Sequence, residues 1–259
     1  MTQAERRIYL IKYLLNEQKQ YSSIEIPSNT NEQKLMLRGL FNIRPPMPAS
    51  DDFIAIQDEY LKEELERRGI TDFKTLSPAA DRIYLRKGDI TTLKCDAIVN
   101  AANSKMLGCF CPNHKCIDNA IHTFSGIQLR LACDKLMKEQ GCDEATGKAK
   151  ITPAFNLPCK NIIHTVGPIV SGRLTEKDCS LLRSCYLSCL ELAEVNGLNS
   201  IAFCCISTGE FHFPNRAAAK IAIETVKEYM QKNQSDIEVI FNVFKDEDYE
   251  IYRELLGKN

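Results

Sequence analysis

Apolar residues recur at helical spacing through the first 80 residues of the chain. Two predicted helices are marked by apolar positions that share one face, Ile8, Ile11, Leu14 and Leu15 in the first and Leu35, Leu37, Leu40 and Phe41 in the second. The proline-rich residues 44–48 cannot continue a helix, and a third helix is predicted from Asp51 to Arg68, before Gly69. We therefore predict that residues 1–80 form a helical extension packed on the domain that follows, with partner binding as the alternative.

Short β-type segments alternate with longer helical ones from about Asp81 onward. Strands are predicted at Ile83–Arg86, Ala97–Asn100, Ala149–Ile151, Ile162–Val166, Ser200–Ile206 and Ile237–Phe244. Helices are predicted near Asp118–Gln140, Lys177–Asn196, Asn215–Gln231 and Glu247–Leu256. Several strands are continuous apolar runs, which is typical of strands buried on both faces of a sheet. The pattern predicts a three-layer α/β/α domain over residues 81–259, with a ligand at the carboxyl ends of its strands.

The composition narrows the class of protein without identifying it. The 33 basic and 34 acidic residues give a formal charge of −1, and 44% hydrophobic with 26% charged residues is typical of a soluble globular domain. No stretch of about 18 uncharged apolar residues is present, which excludes a membrane-spanning helix. The charge balance argues against binding to nucleic acid through basic patches, but it is compatible with a small anion held by backbone N–H groups.

All twelve cysteines lie at or after Cys95, so none lies in the helical extension. The first residues, MTQAERRIYLIK, carry charges that interrupt any apolar signal-peptide core, and a cytoplasmic location with reduced thiols is therefore expected. Most of the cysteines are expected to be buried as small hydrophobic residues, while a few bind metal.

Two short motifs follow predicted strands and place polar groups at the ligand end of the sheet. The sequence GDIT positions the Asp89 carboxylate to accept a hydrogen bond from an exocyclic amine, such as that of adenine. The sequence NAANS combines the amides of Asn100 and Asn103 with two small residues that let a ligand approach the backbone. Ordinary turn and cap chemistry accounts for either motif taken alone.

A polar, turn-rich loop brings several candidate metal ligands close together. Cys109, His114 and Cys116 lie within eight residues, and thiolate and imidazole groups are ligands that zinc prefers. No second cysteine knuckle follows in the sequence, so an open three-ligand site of the catalytic type is predicted. Cys111 stays open as a fourth ligand, although its C-x-C spacing with Cys109 closes a strained ring around one ion.

Residues 206–214, ISTGEFHFP, connect a predicted strand to a predicted helix. The backbone N–H groups of such a loop and the N-terminus of the following helix together form a site for an anion. The segment lacks the GxxxxGK[ST] pattern, which excludes nucleoside triphosphate hydrolysis through a P-loop. Phe211 and Phe213 could flank a sugar or base, with hydrophobic packing as the alternative, particularly for Phe213.

Taken in order, the segments GDIT, DAIVNAANS, IDNAIH, HTVGP and ISTGEFHFP resemble the macrodomain family over residues 81–259. The resemblance implies an α/β/α sandwich around a mixed six-stranded sheet, with a cleft for ADP-ribose. In the catalytic loop, cysteines and a histidine replace the glycine run of the family, and this departure resembles the zinc-containing macrodomain subfamily of microbes. A helical extension of about 80 residues also fits that subfamily.

The resemblance implies a role for each matching residue. Asp89 would accept a hydrogen bond from the adenine amine, and the N–H of Ile90 would support the same base. Asn103 would orient the distal ribose, and Asp118 would be the catalytic carboxylate, either as general base or as positioning group, with a simple helix N-cap as its alternative. The diphosphate would be held by the backbone of Ser207, Thr208, Gly209, Glu210 and Phe211. Zinc would be bound by Cys109, His114 and Cys116, with Cys111 at a variable position.

These roles predict a zinc-dependent hydrolase that removes mono-ADP-ribose from modified proteins. One alternative is a reader, a module that binds ADP-ribose without cleaving it; the other is a deacetylase of O-acetyl-ADP-ribose. The metal loop argues against the reader, because binding alone needs no open zinc site. The resemblance also implies a sirtuin-type transferase and a lipoylated carrier protein as partners. His122 lies one helical turn after Asp118 and could orient its carboxylate, but structural roles are favoured for His122 and for the strand residue His164.

Overall fold

The computed structural model describes residues 1–21 and 23–257. Three helices precede the first strand, namely α1 (Gln3–Asn16), α2 (Thr30–Ile43) and α3 (Asp51–Arg68). Each follows a polar cap whose side-chain oxygen accepts a hydrogen bond from a first-turn N–H group, as Ser50 does from Phe53 at the start of α3. The predicted N-terminal helical segment is confirmed, with α3 at its predicted bounds.

Within the described residues, nine strands follow or interleave with five further helices. The strands are β1 (Thr71–Asp72), β2 (Pro78–Ala80), β3 (Ile83–Lys87), β4 (Leu93–Lys94), β5 (Ala97–Ala102), β6 (Ala149–Pro153), β7 (Asn161–Val166), β8 (Ser200–Phe203) and β9 (Glu238–Val243). The helices are α4 (Ile117–Ser125), α5 (Ile127–Gln140), α6 (Glu176–Val195), α7 (Asn215–Asn233) and α8 (Asp246–Leu256). No helix of the described ranges has both the length and the apolar character needed to cross a membrane.

Seven strands form one mixed sheet in the order β2-β3-β9-β8-β5-β7-β6. The five inner strands run parallel, whereas β2 and β6 pair antiparallel at the two edges. Alternate side chains of β7 face different helical layers: His164 approaches Cys133 of α5, and Thr165 lies beside Cys185 of α6. Helices α4 and α5 therefore cover one face of the sheet, and α6, α7 and α8 cover the other.

The helical segment packs on the α4–α5 side of this sandwich. Apolar residues of the three N-terminal helices, such as Leu10, Leu37 and Phe53, form one cluster that extends to Ile127 at the start of α5. The side chain of Gln57 on α3 accepts a hydrogen bond from the N–H of Ile127 at 3.0 Å. The segment is thus joined to the sandwich by both apolar and polar contacts.

The fold corrects several details of the sequence prediction. The described sheet has seven strands rather than six, because the short edge strand β2 joins it before residue 81. The single helix predicted over Asp118–Gln140 is divided at Gly126, whose φ of 96° cannot continue a helix and whose missing Cβ leaves room for Gln57. The strand predicted at Ser200–Ile206 already ends at Phe203. All twelve cysteines are free. Most of them were expected to be buried, but only six are.

Candidate functional site

Three loops that carry predicted site residues meet at one edge of the sheet. The loops follow β3, β5 and β8, and these strands belong to the parallel inner part of the sheet. Because the carboxyl ends of parallel strands share an edge, the structure places Asp89, Asn103 and residues 207–211 at the same edge of the sheet. The loop after β5 continues into α4, which brings Asp118 to the same edge.

Asp118 lies in the first turn of α4 and is only 5% exposed. The Nδ2 of Asn100 donates to its Oδ1 at 2.8 Å, and the Nδ2 of Asn103 donates to its Oδ2 at 3.3 Å. Burial raises the pKa of Asp118 to about 6, although the amides of Asn100 and Asn103 and the charge of Arg130 oppose this shift. The N-cap of α4 is Cys116, so the alternative of Asp118 as an N-cap is wrong.

Asn100 was named in the NAANS motif, but no site role was predicted for it. Its side chain is fully buried, and besides Asp118 its Nδ2 approaches the Nδ1 of His164 at 3.1 Å. The Nε2 of His164 lies 2.9 Å from the Oγ1 of Thr152, and burial lowers the pKa of His164 to about 3, so the ring is neutral. His164 therefore has the structural role expected of it. The signal for Asn100 was its place in NAAN, the motif at the carboxyl end of β5 that also holds Asn103.

His122 contacts Asp118 without a hydrogen bond. Its Nε2 lies 3.6 Å from the Oδ1 of Asp118, and neither ring nitrogen has a hydrogen-bond partner among the described residues. Burial lowers the pKa of His122 well below its usual value, so the ring is neutral. The ring packs beneath Gly108, where φ is 80° and a Cβ would lie 2.7 Å from a ring carbon. His122 thus supports the loop after β5 by packing.

The structure brings the three predicted metal ligands together. One ligand atom each of Cys109, His114 and Cys116 lies within 4.8 Å of the others, a spacing that a tetrahedral zinc ion can bridge. The Nδ1 of His114 is buried and has no hydrogen-bond partner in the described chain, which leaves it available for coordination. Cys111 is exposed and lies outside the group.

The surroundings of His114 resemble those of a metal-bound histidine. Burial raises the pKa of the neighbouring Cys116 thiol to about 12, so metal binding would release its proton. The Nε2 of His114 lies 3.6 Å from the Oε1 of Glu210, in the loop between β8 and α7. A carboxylate beside the second ring nitrogen is a common arrangement at zinc-bound histidines. The donor set therefore fits zinc.

A second group of Cys and His side chains does not fit a metal. His122, Cys133 and His164 approach one another within 4.8 Å in the core between α4, α5 and the sheet. Both ring nitrogens of His164 already form hydrogen bonds, with Asn100 and Thr152, so the ring has no free lone pair for a metal ion. This group is therefore part of the packed core.

The loop after β8 has the geometry of an anion site. Ser207 adopts a φ of 65° and is buried, and Gly167 lies so close that a Cβ there would collide with the Ser207 hydroxyl. Within the described residues, the N–H groups of Gly209, Glu210 and Phe211 donate to no other protein atom. Helix α7 begins shortly afterwards and adds its N-terminus. Phe213 is buried in the core, as its packing alternative implied, whereas Phe211 is partly exposed beside the loop.

Asp89 is held in place by its own loop and by the helical segment. Its Oδ1 accepts hydrogen bonds from the N–H of Thr91 at 2.9 Å and from the Thr91 hydroxyl at 2.7 Å. Its Oδ2 accepts from Arg68 of α3 at 3.0 Å, and the Arg68 guanidinium lies 3.6 Å from the centre of the Phe124 ring. The carboxylate remains 39% exposed, with Ile90 next to it at the start of a short 3-10 turn. Sequence reasoning missed Arg68, because no local pattern brings α3 to this loop.

Comparison with known proteins gives this arrangement a family context. A match to the Macro domain family covers residues 99–222. The chain is 56% identical to a protein-ADP-ribose hydrolase of Treponema medium over 99% of this chain and 100% of that protein. It is 49% identical to a protein-ADP-ribose hydrolase of Staphylococcus aureus (strain MRSA252) over 97% of this chain and 95% of that protein.

A similar architecture is found among solved structures. A Trypanosoma brucei macrodomain in complex with ADP-ribose matches with a TM-score of 0.66 and 30% sequence identity, covering 82% of this chain and 92% of that one. The likeness is in the α/β fold, a mixed sheet flanked by helices. With a relative 56% identical along almost its whole length, the chain belongs to the macrodomain family.

Proposed function

We propose that the protein is a zinc-dependent hydrolase that removes mono-ADP-ribose from modified proteins. The observation that carries the proposal is the three-ligand group of Cys109, His114 and Cys116, placed two residues before the buried carboxylate Asp118. Two relatives that match nearly the whole chain are named protein-ADP-ribose hydrolase, which supports the reaction. The Cys and His donor set supports the metal. A cytoplasmic location suits a site whose thiols must stay reduced to bind metal.

The three loops provide a continuous path for an ADP-ribosyl group. Adenine would lie beside Asp89 and the N–H of Ile90. The diphosphate would lie on the N–H groups of the loop formed by Ser207, Thr208, Gly209, Glu210 and Phe211. The distal ribose would then reach Asn103 and Asp118. The 3.6 Å approach of Glu210 to His114 supports this path, because it joins the diphosphate loop to the metal loop.

Asp118 and its two amide partners would carry the proton chemistry. Each carboxylate oxygen accepts one amide hydrogen bond, which fixes the group and leaves lone pairs free to take a proton from the attacking water. The Asn103 amide could exchange its hydrogen bond to Asp118 for one to a ribose hydroxyl. The buried Asn100 amide would keep its hydrogen bond to the carboxylate throughout. A zinc ion on the three ligands would supply positive charge where oxygen becomes anionic.

The substrate is tested with a panel of proteins that carry mono-ADP-ribose through defined serine, aspartate, glutamate, arginine and lipoyl-carrier linkages. We expect release of free ADP-ribose from at least one linkage, detected by mass spectrometry. A sirtuin-type transferase and a lipoylated carrier protein remain predictions from the resemblance, and the carrier arm tests the second. Tight ADP-ribose binding without release from any substrate would favour a reader, and cleavage of O-acetyl-ADP-ribose alone would favour the deacetylase.

Replacement of Asp89 by alanine is expected to weaken ADP-ribose binding by about 1–3 kcal/mol, because the adenine amine loses a charged acceptor. Calorimetry with ADP-ribose measures the change. Asp236→Ala serves as control, since Asp236 is 96% exposed and pairs with Arg82 at the amino ends of β3 and β9, the opposite edge of the sheet. An Asp89→Ala variant that binds as tightly as the wild type would place adenine elsewhere.

A further inference from the structure

The loop that carries the three candidate ligands has little support of its own. It spans residues 103–116 between β5 and α4. Within this described range, two backbone hydrogen bonds close on the loop itself, from Met106 to Asn103 at 2.9 Å and from His114 to Cys111 at 3.3 Å. Asn113 adopts a φ of 56°, a left-handed conformation that needs stabilisation. Ligand geometry in such a loop depends on what packs against it.

Helix α2 of the N-terminal segment packs directly on this loop. The Oδ1 of Asn42, which is 1% exposed, accepts a hydrogen bond from the N–H of Asn113 at 2.9 Å. The Nη2 of Arg38 donates to the carbonyl oxygen of His114 at 3.1 Å. Gly39 lies between them, and a Cβ at Gly39 would approach the Asn113 side chain to 3.3 Å. The helix thus holds the backbone at a candidate ligand and at the residue before it.

The same two side chains of α2 also reach the first turns of α4. The Nη2 of Arg38 donates to the Oδ1 of Asn119 at 2.9 Å, and the Nδ2 of Asn119 donates to the carbonyl oxygen of Cys111 at 3.0 Å. The Nδ2 of Asn42 donates to the Oγ1 of Thr123 at 2.9 Å. One network, buried at Asn42 and partly buried at Arg38, therefore connects α2, the metal loop and the helix that carries the catalytic carboxylate.

We propose that Arg38 and Asn42 are positioning residues that hold the metal loop in its ligand geometry. The N-terminal helical segment is then part of the active site rather than a packed layer beside it. Removal of polar groups that hydrogen-bond to ligand residues without touching the metal commonly weakens metal binding by roughly 10–100-fold. This inference rests on the proposed zinc site, and it names residues that contact neither zinc nor substrate.

Zinc affinity of the full chain tests the proposal, measured by competition with a chromophoric chelator and zinc alone. Arg38→Ala is expected to weaken zinc binding roughly 10–100-fold. Arg38→Lys, which keeps the charge and N–H donors but lacks the forked guanidinium, should recover part of the loss. The matched control is Arg6→Ala, because the described partners of Arg6 lie within the helical segment, Gln3 on α1 and Glu59 and Glu63 on α3. The control should bind zinc like the wild type, and excess zinc should restore hydrolysis by Arg38→Ala.

Hydrogen exchange in the zinc-free chain provides a readout independent of the metal. Asn42→Ala should accelerate exchange at the Asn113 amide, which loses its acceptor, while the amides of β5 keep their protection. Wild-type zinc affinity in Arg38→Ala, or an unchanged Asn113 amide in Asn42→Ala, would overturn the proposal. A loss of zinc affinity as large in Arg6→Ala would also overturn it, since the effect would be general destabilisation. A wild-type chain that binds no zinc would instead refute the proposed metal site, and this inference with it.

Discussion

Replacement of Asp118 by asparagine is expected to slow release of ADP-ribose at least about tenfold while leaving ADP-ribose and zinc bound. Asparagine has nearly the same shape but cannot take a proton from water. It also offers one acceptor oxygen where the carboxylate offers two, so Asn100 or Asn103 loses a partner at a cost of about 1–3 kcal/mol in stability. Initial rates on an ADP-ribosylated protein, with zinc content measured on the same sample, check the prediction.

A matched control separates this chemistry from the loss of a hydrogen-bonded carboxylate. Asp96, just before the amino end of β5, accepts hydrogen bonds at both carboxylate oxygens, from the N–H of Asn199 at 2.8 Å and from the Nζ of Lys160 at 2.6 Å. Asp96→Asn should lose stability to a similar extent and keep its turnover. Turnover of Asp118→Asn at the wild-type rate would show that Asp118 is not the base and that its role is structural.

Removal of any one of the three candidate ligands is expected to empty the metal site and abolish most of the hydrolysis. Cys109, His114 and Cys116 form an open three-ligand set, so two remaining ligands would bind zinc far more weakly. Each alanine variant should keep its far-UV circular dichroism, because the ligands lie in a loop outside the sheet and its helical layers. Elemental analysis of protein purified without chelator measures the metal.

Cys111→Ala is the internal control for this series. The residue lies in the same loop, but its side chain is exposed and outside the ligand group. We expect it to keep about one zinc per chain and most of the activity. If Cys111→Ala lost the metal while one of the three other variants retained it, the ligand assignment would be wrong.

The parallel core of the sheet was predictable because its strands are continuous apolar runs. Helix α3 was predicted at its exact bounds, since Ser50 caps its start and Gly69 ends it. The edge strand β2 was not predictable, because Pro78–Ala80 carries no alternation and owes its extended form to pairing with β3. The break at Gly126 also depends on a distant contact, from Gln57 of α3, which no local window contains.

Some features of the candidate site were also predictable from the local sequence, whereas others depend on tertiary packing. The three ligands lie within eight residues, so their proximity was visible in the sequence. Asp118 was visible as a carboxylate at a helix start, but its burial and raised pKa were not, because they depend on the packing of Asn100 and Arg130. Arg38, Asn42 and Arg68 reach the site from the helical segment, and their roles follow from how that segment docks.

The most direct test compares zinc-loaded and zinc-free wild-type protein on one mono-ADP-ribosylated substrate from the panel. Free ADP-ribose is quantified by mass spectrometry over time, before and after zinc is added back to the zinc-free sample. The account predicts release by the loaded protein, little release without zinc, and recovery when zinc is restored. Equal rates in the loaded and zinc-free samples would contradict a metal-dependent reaction, and an absence of release in both would contradict the hydrolase itself.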